Sequence, residues 1–354
     1  MTSLPIAEPH PGLLVSRPTR RPRARTILLG IVAVLLAGAA VTCNAYNRDL
    51  RSARESALSG GSLLQTSCGL VEYAEMGTGS PVLSIHGTGG GWDQGLFIAR
   101  GLIDRGYRVI APSRYGYLRT PMPDDASPQY EATTFACILD ELGIERVAVI
   151  AASAGATPAL QFALQHPERV SSLVLLVPAV GGISPPDTVG TVPPFVMNHV
   201  LRSDFIFWAA MKAWPPLTLK VVAVPQSLVP TLTPEGKRNL DQAIAGIFPV
   251  SLRHQGILYD ATNQMSELPY ELDRIEVPTL LVSAEDDLFN TLPNARAAAA
   301  AIPSSQLIEY KTGGHLLLDR DAHLWPAIVT FMESCSTTYC DLGVKSDLIA
   351  DQSN

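Results

Sequence analysis

The sequence predicts an α/β fold: a mostly parallel sheet with helices on both faces, a helical cap inserted after the sixth strand, and a hydrophobic segment ahead of the whole. Three observations predict it. Short, continuous apolar runs recur from residue 70 onward, helical patterns fall between them, and this rhythm stops between 181 and 275, where prolines, aromatics and helical patches take over. Continuous apolar runs suit strands covered on both faces, and strands alternating with helices indicate a parallel sheet. The composition agrees: of 354 residues, 47% are hydrophobic and only 17% charged. That excludes a disordered chain and leaves material for a sizeable core.

The N-terminal end is read first. Residues 1–25 hold five arginines against Glu8, a net of +4, so the rest of a chain with net charge −7 carries −11. An acidic body with no basic stripe argues against nucleic acid as a partner. Residues 26–47 carry no charge, and Thr26–Val41 is almost wholly apolar with no polar face. A core helix would show such a face. Three readings compete: an uncleaved signal anchor, a signal peptide cleaved near Ala37-Gly38-Ala39, and a lipoprotein through Cys43, whose preceding Ala40-Val41-Thr42 fits a lipobox poorly. The arginines place their own side in the cytoplasm. The body is therefore expected outside it, membrane-anchored if the segment is kept and secreted or periplasmic if it is cleaved.

The strands are Val82–Ile85, Arg108–Ala111, Val147–Ile150, Ser172–Val177, Thr279–Val282 and Gln306–Tyr310. Helices are expected over Leu96–Arg105, Tyr130–Leu142, Ala154–His166, Asn294–Ala301 and Leu317–Ser334. The core divides into residues 68–180 and 276–334, with a cap over 181–275 and a tail from 335 to 354. An interruption of that length is too long for a plain loop. Its aromatics, Phe205, Phe207, Trp208 and Trp214, either line a site for an apolar group or pack the cap onto the core. Cys137 lies in a helical pattern, where a buried thiol is the default. Cys335 and Cys340 either close a small loop in an oxidising compartment or stand as two thiols in the tail. No C-x-x-C and no histidine pair at zinc spacing occurs, so neither a metal site nor any other cofactor is expected.

Three separated motifs converge on one chemistry. Ala151-Ala152-Ser153-Ala154-Gly155 follows the strand ending at Ile150 and opens a helix. A serine between small residues at such a turn is a nucleophile elbow; read alone, it is also an ordinary N-cap. His86-Gly87-Thr88-Gly89-Gly90-Gly91-Trp92 follows the strand ending at Ile85. Its glycines let backbone N–H groups turn into the site. The N–H of Ala154 with that of Gly87 or Thr88 would form an oxyanion hole. His86 reads as structural, and Trp92 either lines the pocket or packs in the core. A dinucleotide loop is excluded, because Trp92 stands where the last glycine of G-x-G-x-x-G is required. Glu285-Asp286-Asp287 and Gly313-Gly314-His315 follow the last two strands. Serine, acid and histidine thus come in the order that lets all three meet at one sheet edge, the histidine as base and the carboxylate fixing its tautomer.

As a set, these motifs resemble the α/β-hydrolase superfamily over residues 68–334. Gln165-His166-Pro167-Glu168-Arg169-Val170, before the strand after the serine, is similar to that family's helix-to-strand junction. The resemblance implies Ser153 as nucleophile, His315 as base and Asp287 as acid, with Asp286 the fallback. Ala151 stands where the family usually has glycine. Ser113-Arg114-Tyr115-Gly116-Tyr117 keeps only part of its Asp-x-x-Gly-x-Gly stretch. A serine nucleophile excludes subfamilies that attack through aspartate. The expected reaction is cleavage of a small-molecule carboxylic ester with an apolar group through an acyl-enzyme. The alternatives are C–C bond hydrolysis, acyl transfer or perhydrolysis on the same triad, or a non-catalytic binding module of the same fold.

Overall fold

The computed structural model describes residues 21–180, 194–263, 271–335 and 349–350. The chain divides into two compact units, Met1–Asp49 and Leu50–Asn354. Helix α1 (Arg21–Ser59) starts in the first and ends in the second. In the first unit its apolar side chains point outward all round, Val34 and Val41 being 71% and 70% exposed. Among the described residues, this helix is the one long and apolar enough to cross a membrane.

The second unit is built on a nine-stranded sheet of order β1-β2-β4-β3-β5-β6-β7-β8-β9. Strands β1 (Ser62–Thr66) and β2 (Gly69–Met76) form an antiparallel hairpin that turns at Ser67-Cys68, with Gly69 at φ 117°. Only glycine adopts that angle readily. Next come β3 (Pro81–Ile85), α2 (Trp92–Ile98), α3 (Arg100–Ile103), β4 (Arg108–Pro112), α4 (Pro128–Glu141), β5 (Val147–Ala152), α5 (Ala156–Gln165) and β6 (Val170–Leu176). The hairpin joins β4 antiparallel, and every pairing from β4 through β9 is parallel. The central strands are apolar and buried along their length because helices cover both faces. Phe135, Ile138, Phe162 and Ala298 fill one side, and Leu102, Trp325, Ile328 and Phe331 the other.

Among the described residues, five α-helices lie between β6 and β7: α6 (Pro194–Arg202), α7 (Asp204–Ala213), α8 (Pro215–Val221), α9 (Pro234–Ala245) and α10 (His254–Asn263). They share a core of their own, including Leu201, Phe207, Val224, Leu240 and Val250. The sheet then resumes with β7 (Thr279–Ala284), α11 (Leu292–Ala301), β8 (Ser305–Tyr310), α12 (Asp321–Ser334) and the short β9 (Ile349–Ala350).

Two expectations are corrected. The last helix does not begin at Leu317: Leu317 and Asp319 take φ of 50° and 60°, a left-handed path no helix follows, and α12 starts at Asp321. Cys137 is not a buried thiol. It forms a disulfide with Cys68 across a sequence separation of 69 residues, tying the β1–β2 turn to α4. Hydropathy patterning hides this, because one partner sits in a turn and the other on a buried helix face. Cys335 is buried at the end of α12, while Cys340 lies outside the described residues.

A crosslink closing so long a loop is worth on the order of 4 kcal/mol in the loop-entropy model. Reduction, or Cys68→Ala with Cys137→Ala, should lower the denaturation midpoint accordingly. Peptide mapping without reductant should show Cys68 joined to Cys137; recovery of Cys137 as an unmodified thiol would remove the bond.

Candidate active site

Strands β3, β5, β7 and β8 end on the same edge of the sheet, and the motifs follow from those ends. Ser153 comes immediately after β5, at φ 50°. A β-carbon makes that region costly, and such strain is held only where surrounding structure imposes it. Here the turn is wedged against β3. A β-carbon on Gly155 would fall 2.6 Å from the carbonyl of His86 and 2.7 Å from that of Ile85. Gly155 is therefore required for space. Ala151 is fully buried, and the fold accepts its methyl group where glycine was the expectation.

The two acidic candidates separate cleanly. Asp287 Oδ2 lies 2.9 Å from His315 Nδ1. The same carboxylate accepts from Thr291 Oγ1 at 2.5 Å and, through Oδ1, from the Phe289 N–H at 2.9 Å. Burial pushes the Asp287 carboxyl up, but His315 and these donors outweigh it and hold it below the usual range. Asp286 has another task. Its oxygens accept the N–H groups of Gly313 at 3.2 Å and Gly314 at 2.8 Å. Those glycines, at φ 138° and 59°, turn both N–H groups toward it. Asp286 thus shapes the loop that carries the histidine, and Asp287 meets the imidazole. The cap joins here as well: the carbonyl of Ala223 accepts from Leu288 N and His315 N, each at 3.3 Å.

The glycine loop after β3 approaches the serine closely. A β-carbon on Gly87 would stand 3.0 Å from Ser153 Cβ. The Gly87 N–H is taken by Gln94 Oε1 at 2.9 Å. Three further tethers hold the loop. Thr88 Oγ1 donates to Asp260 of α10 at 3.0 Å, the Gly89 N–H reaches the Tyr117 hydroxyl at 3.3 Å, and Arg253 donates to the Gly90 carbonyl. Asp260 is clamped by Arg114 through bonds of 3.1 and 2.9 Å and by the Tyr117 hydroxyl at 2.6 Å. Glu131 lies on the other side of Arg114, at 3.4 Å. Burial raises its carboxyl against the pull of Arg114. Arg253, fully buried, also grips Asp93 at 2.6 Å. Gln94, Thr291, Arg253 and Asp260 were not singled out in the sequence. Their sole advance signal is a polar side chain inside an otherwise apolar or helical stretch.

His86 and Trp92 are structural. His86 Nε2 accepts the Arg114 N–H at 2.9 Å, so Nδ1 carries the proton and donates to the Gly87 carbonyl at 2.7 Å. Trp92 buries its indole against Gly60 and Gly61 and donates to the Ala57 carbonyl at 3.2 Å. It packs on the end of α1. Among the described residues, no group of three or more His, Cys, Asp or Glu is placed to hold a metal ion.

The family model for the alpha/beta hydrolase fold matches residues 80–322. The chain is 28% identical over 255 residues to the "Uncharacterized hydrolase YcgS" of Bacillus subtilis (strain 168), covering 70% of this chain and 89% of that one. It is 28% identical to the 2-hydroxy-6-oxononadienedioate/2-hydroxy-6-oxononatrienedioate hydrolase 2 of Pseudomonas putida, over 69% of this chain and 85% of the relative. Among solved structures, an alpha/beta hydrolase fold protein from Nakamurella multipartita superposes with a TM-score of 0.63 at 27% identity, over 77% of this chain and 99% of that chain.

Burial, and then the charges of Arg114 and Arg253, hold the His86 pKa well below 6.5. The unfolded chain therefore takes up a proton below pH 6.5 that the folded chain refuses, and stability falls as pH drops through that value. The contribution to the slope is up to about 1.4 kcal/mol per pH unit. Urea titrations between pH 6.5 and 5 should show a steeper loss for the wild type than for His86→Gln; equal slopes would mean His86 is protonated in the fold.

Proposed function

The chain belongs to the α/β-hydrolase fold family, and on that premise we propose that it is a serine hydrolase cleaving carboxylic esters of small molecules that carry an apolar group. The observation that carries this reading is the His315–Asp287 hydrogen bond of 2.9 Å at the sheet edge where Ser153 is held in a left-handed turn. In this reading His315 takes the Ser153 proton through Nε2 as Oγ attacks the ester carbonyl. Asp287 fixes the Nδ1–H tautomer and stabilises the imidazolium that forms. The oxyanion is received by the N–H groups of Ala154 and Thr88. Thr88 is preferred to Gly87 because the Gly87 N–H is already engaged by Gln94. The alcohol leaves with the proton from His315, and water activated by the same base releases the acid.

A second reading draws on the Pseudomonas putida relative: the same serine, base and oxyanion donors would serve hydrolysis of a C–C bond beside a ketone. Product analysis with p-nitrophenyl esters and with vinylogous 1,5-diketones decides between them. A fluorophosphonate should label Ser153, and Ser153→Ala should lose activity on the order of 10⁶-fold in kcat. Asp287→Asn should cost about 10⁴-fold through the wrong tautomer, and Asp286→Asn far less. A crippled Asp286→Asn beside an active Asp287→Asn would reverse the assignment, and an unlabelled Ser153 would leave a binding module.

The catalytic unit is placed on the extracytoplasmic side, held by the apolar segment of α1. What supports this is the cluster of arginines before that segment and the Cys68–Cys137 disulfide, which persists in oxidising compartments. A fusion at residue 60 should be active with an exported reporter and silent with a cytoplasmic one; the opposite pattern would invert the topology.

A further inference from the structure

The peptide between Gly87 and Thr88 carries the N–H assigned above to the oxyanion. Gly87 and Gly89, the latter at φ 79°, restrain it little. Hydrogen bonds do so instead, at three points. The Gly87 carbonyl accepts from His86 Nδ1 at 2.7 Å. The Thr88 hydroxyl donates to Asp260 Oδ2 at 3.0 Å, and the next N–H, that of Gly89, reaches the Tyr117 hydroxyl at 3.3 Å. In a trans peptide the carbonyl and the N–H point opposite ways, so a held Gly87 carbonyl leaves the Thr88 N–H one direction. Thr88 is the one exposed residue from Val82 to Trp92, so burial does little to hold its side chain.

Two of these three points lead to a single carboxylate of the cap. Asp260 of α10 is 3% exposed. Its Oδ2 receives Thr88 directly. The same oxygen receives the Tyr117 hydroxyl at 2.6 Å, which in turn accepts from Gly89. Burial and the neighbouring carboxylate keep the Tyr117 phenol protonated, so it donates to Asp260 and offers a lone pair to Gly89. Arg114 grips both oxygens of Asp260, at 3.1 and 2.9 Å. Arg114 is itself set by the core: Glu131 of α4 lies at 3.4 Å, and its backbone N–H meets His86 Nε2 at 2.9 Å. Arg114 therefore fixes where Asp260 stands, and Asp260 passes that position to two consecutive residues of the loop. The ion pair alone would seat the cap. The two hydroxyls that converge on Oδ2 add nothing to its charge balance, and both lead to the loop.

We propose that Asp260 is a positioning residue of the active site: from the cap, through Thr88 and Tyr117, it aims the Thr88 N–H at the oxyanion. The inference rests on the serine-hydrolase reading and adds a condition to it. The donor is in line only while the cap carboxylate sits on Arg114. A cap that lifts thus withdraws stabilisation of the transition state as well as uncovering the serine.

The test separates aiming from folding. Thr88→Val removes the hydroxyl but keeps the branched side chain and the Arg114–Asp260 pair; Thr88→Ser retains the hydroxyl. On a p-nitrophenyl ester, Thr88→Val should lose at least about tenfold in kcat with KM changed by less than about twofold, as a misaimed oxyanion donor requires. Its denaturation midpoint should match the wild type, and Thr88→Ser should recover most of the rate. Asp260→Asn cuts both arms and should lose more, with a lowered midpoint. Two ketones of equal chain length then report the donor without turnover. A trifluoromethyl ketone forms an adduct whose oxyanion occupies the same place, and its affinity should fall in Thr88→Val in step with kcat/KM. The affinity of the plain methyl ketone should not change. Wild-type kcat in Thr88→Val would overturn the proposal. So would an equal loss for both ketones, which would make Asp260 a determinant of binding. A wild type whose Ser153 takes no label from a fluorophosphonate would remove the serine-hydrolase reading; a labelled wild type beside an unaffected Thr88→Val would remove this inference alone.

Discussion

The glycine loop from Gly87 to Gly91 carries one side chain with a polar group before Trp92, and nothing within it can fix its own position. Buried charge does so. Arg114 from the β4 end and Asp260 from α10 meet at 2.9 Å, and this pair presents an acceptor to Thr88 and orients the Tyr117 hydroxyl beside Gly89. Arg253 does the same for Gly90 from the other side while gripping Asp93. Apolar side chains could stabilise the space between cap and core as well or better, since desolvating an ion pair offsets much of its attraction. Direction is what the charges supply: hydrogen bonds aim backbone N–H groups, and apolar contact does not.

The same network decides which groups near the serine carry charge. Burial first, and then the charges of Arg114 and Arg253, keep the His86 imidazole neutral, so the loop base remains an acceptor for the Arg114 N–H. At the other end of the site the opposite arrangement holds. The Asp287 carboxylate, fed by Thr291 and the Phe289 N–H, stays ionised despite its burial. One histidine is thus buried beside cations, and the other faces a carboxylate. The cap takes part in both regions, through Asp260 and Arg253 over the loop and through the Ala223 carbonyl over His315. Lifting it would break buried charge pairs as well as apolar contacts.

Much of this was legible in the sequence, for identifiable reasons. The parallel strands announce themselves because burial on both faces forces continuous apolar runs. The positions of Ser153, Asp287 and His315 follow from where those runs end. The β1–β2 hairpin was not legible as two strands. It sits at the sheet edge, where polar residues such as Glu72 and Gln65 interrupt the pattern. The Cys68–Cys137 pairing joins segments that no local periodicity relates. Arg253 and Asp260 look like surface charges of ordinary helices, and only the docked cap reveals them as buried. The sequence pointed to Asp287 with Asp286 as the fallback; that Asp286 holds the N–H groups of Gly313 and Gly314 had no signal in it.

The last turns of α1 belong to the catalytic unit. Ala57 is 2% exposed and its carbonyl holds the Trp92 indole, while Arg54 reaches Asp204. The second unit therefore begins inside a helix, and its first contacts to the rest of that unit are made from Arg54 and Ala57. A chain cut shortly before Leu50 would keep the Trp92 and Asp204 contacts intact. A cut after Ser59 would strip the support from the helix that follows the glycine loop. The two cuts differ by about ten residues of chain, less than three turns of helix, yet only the second removes these contacts.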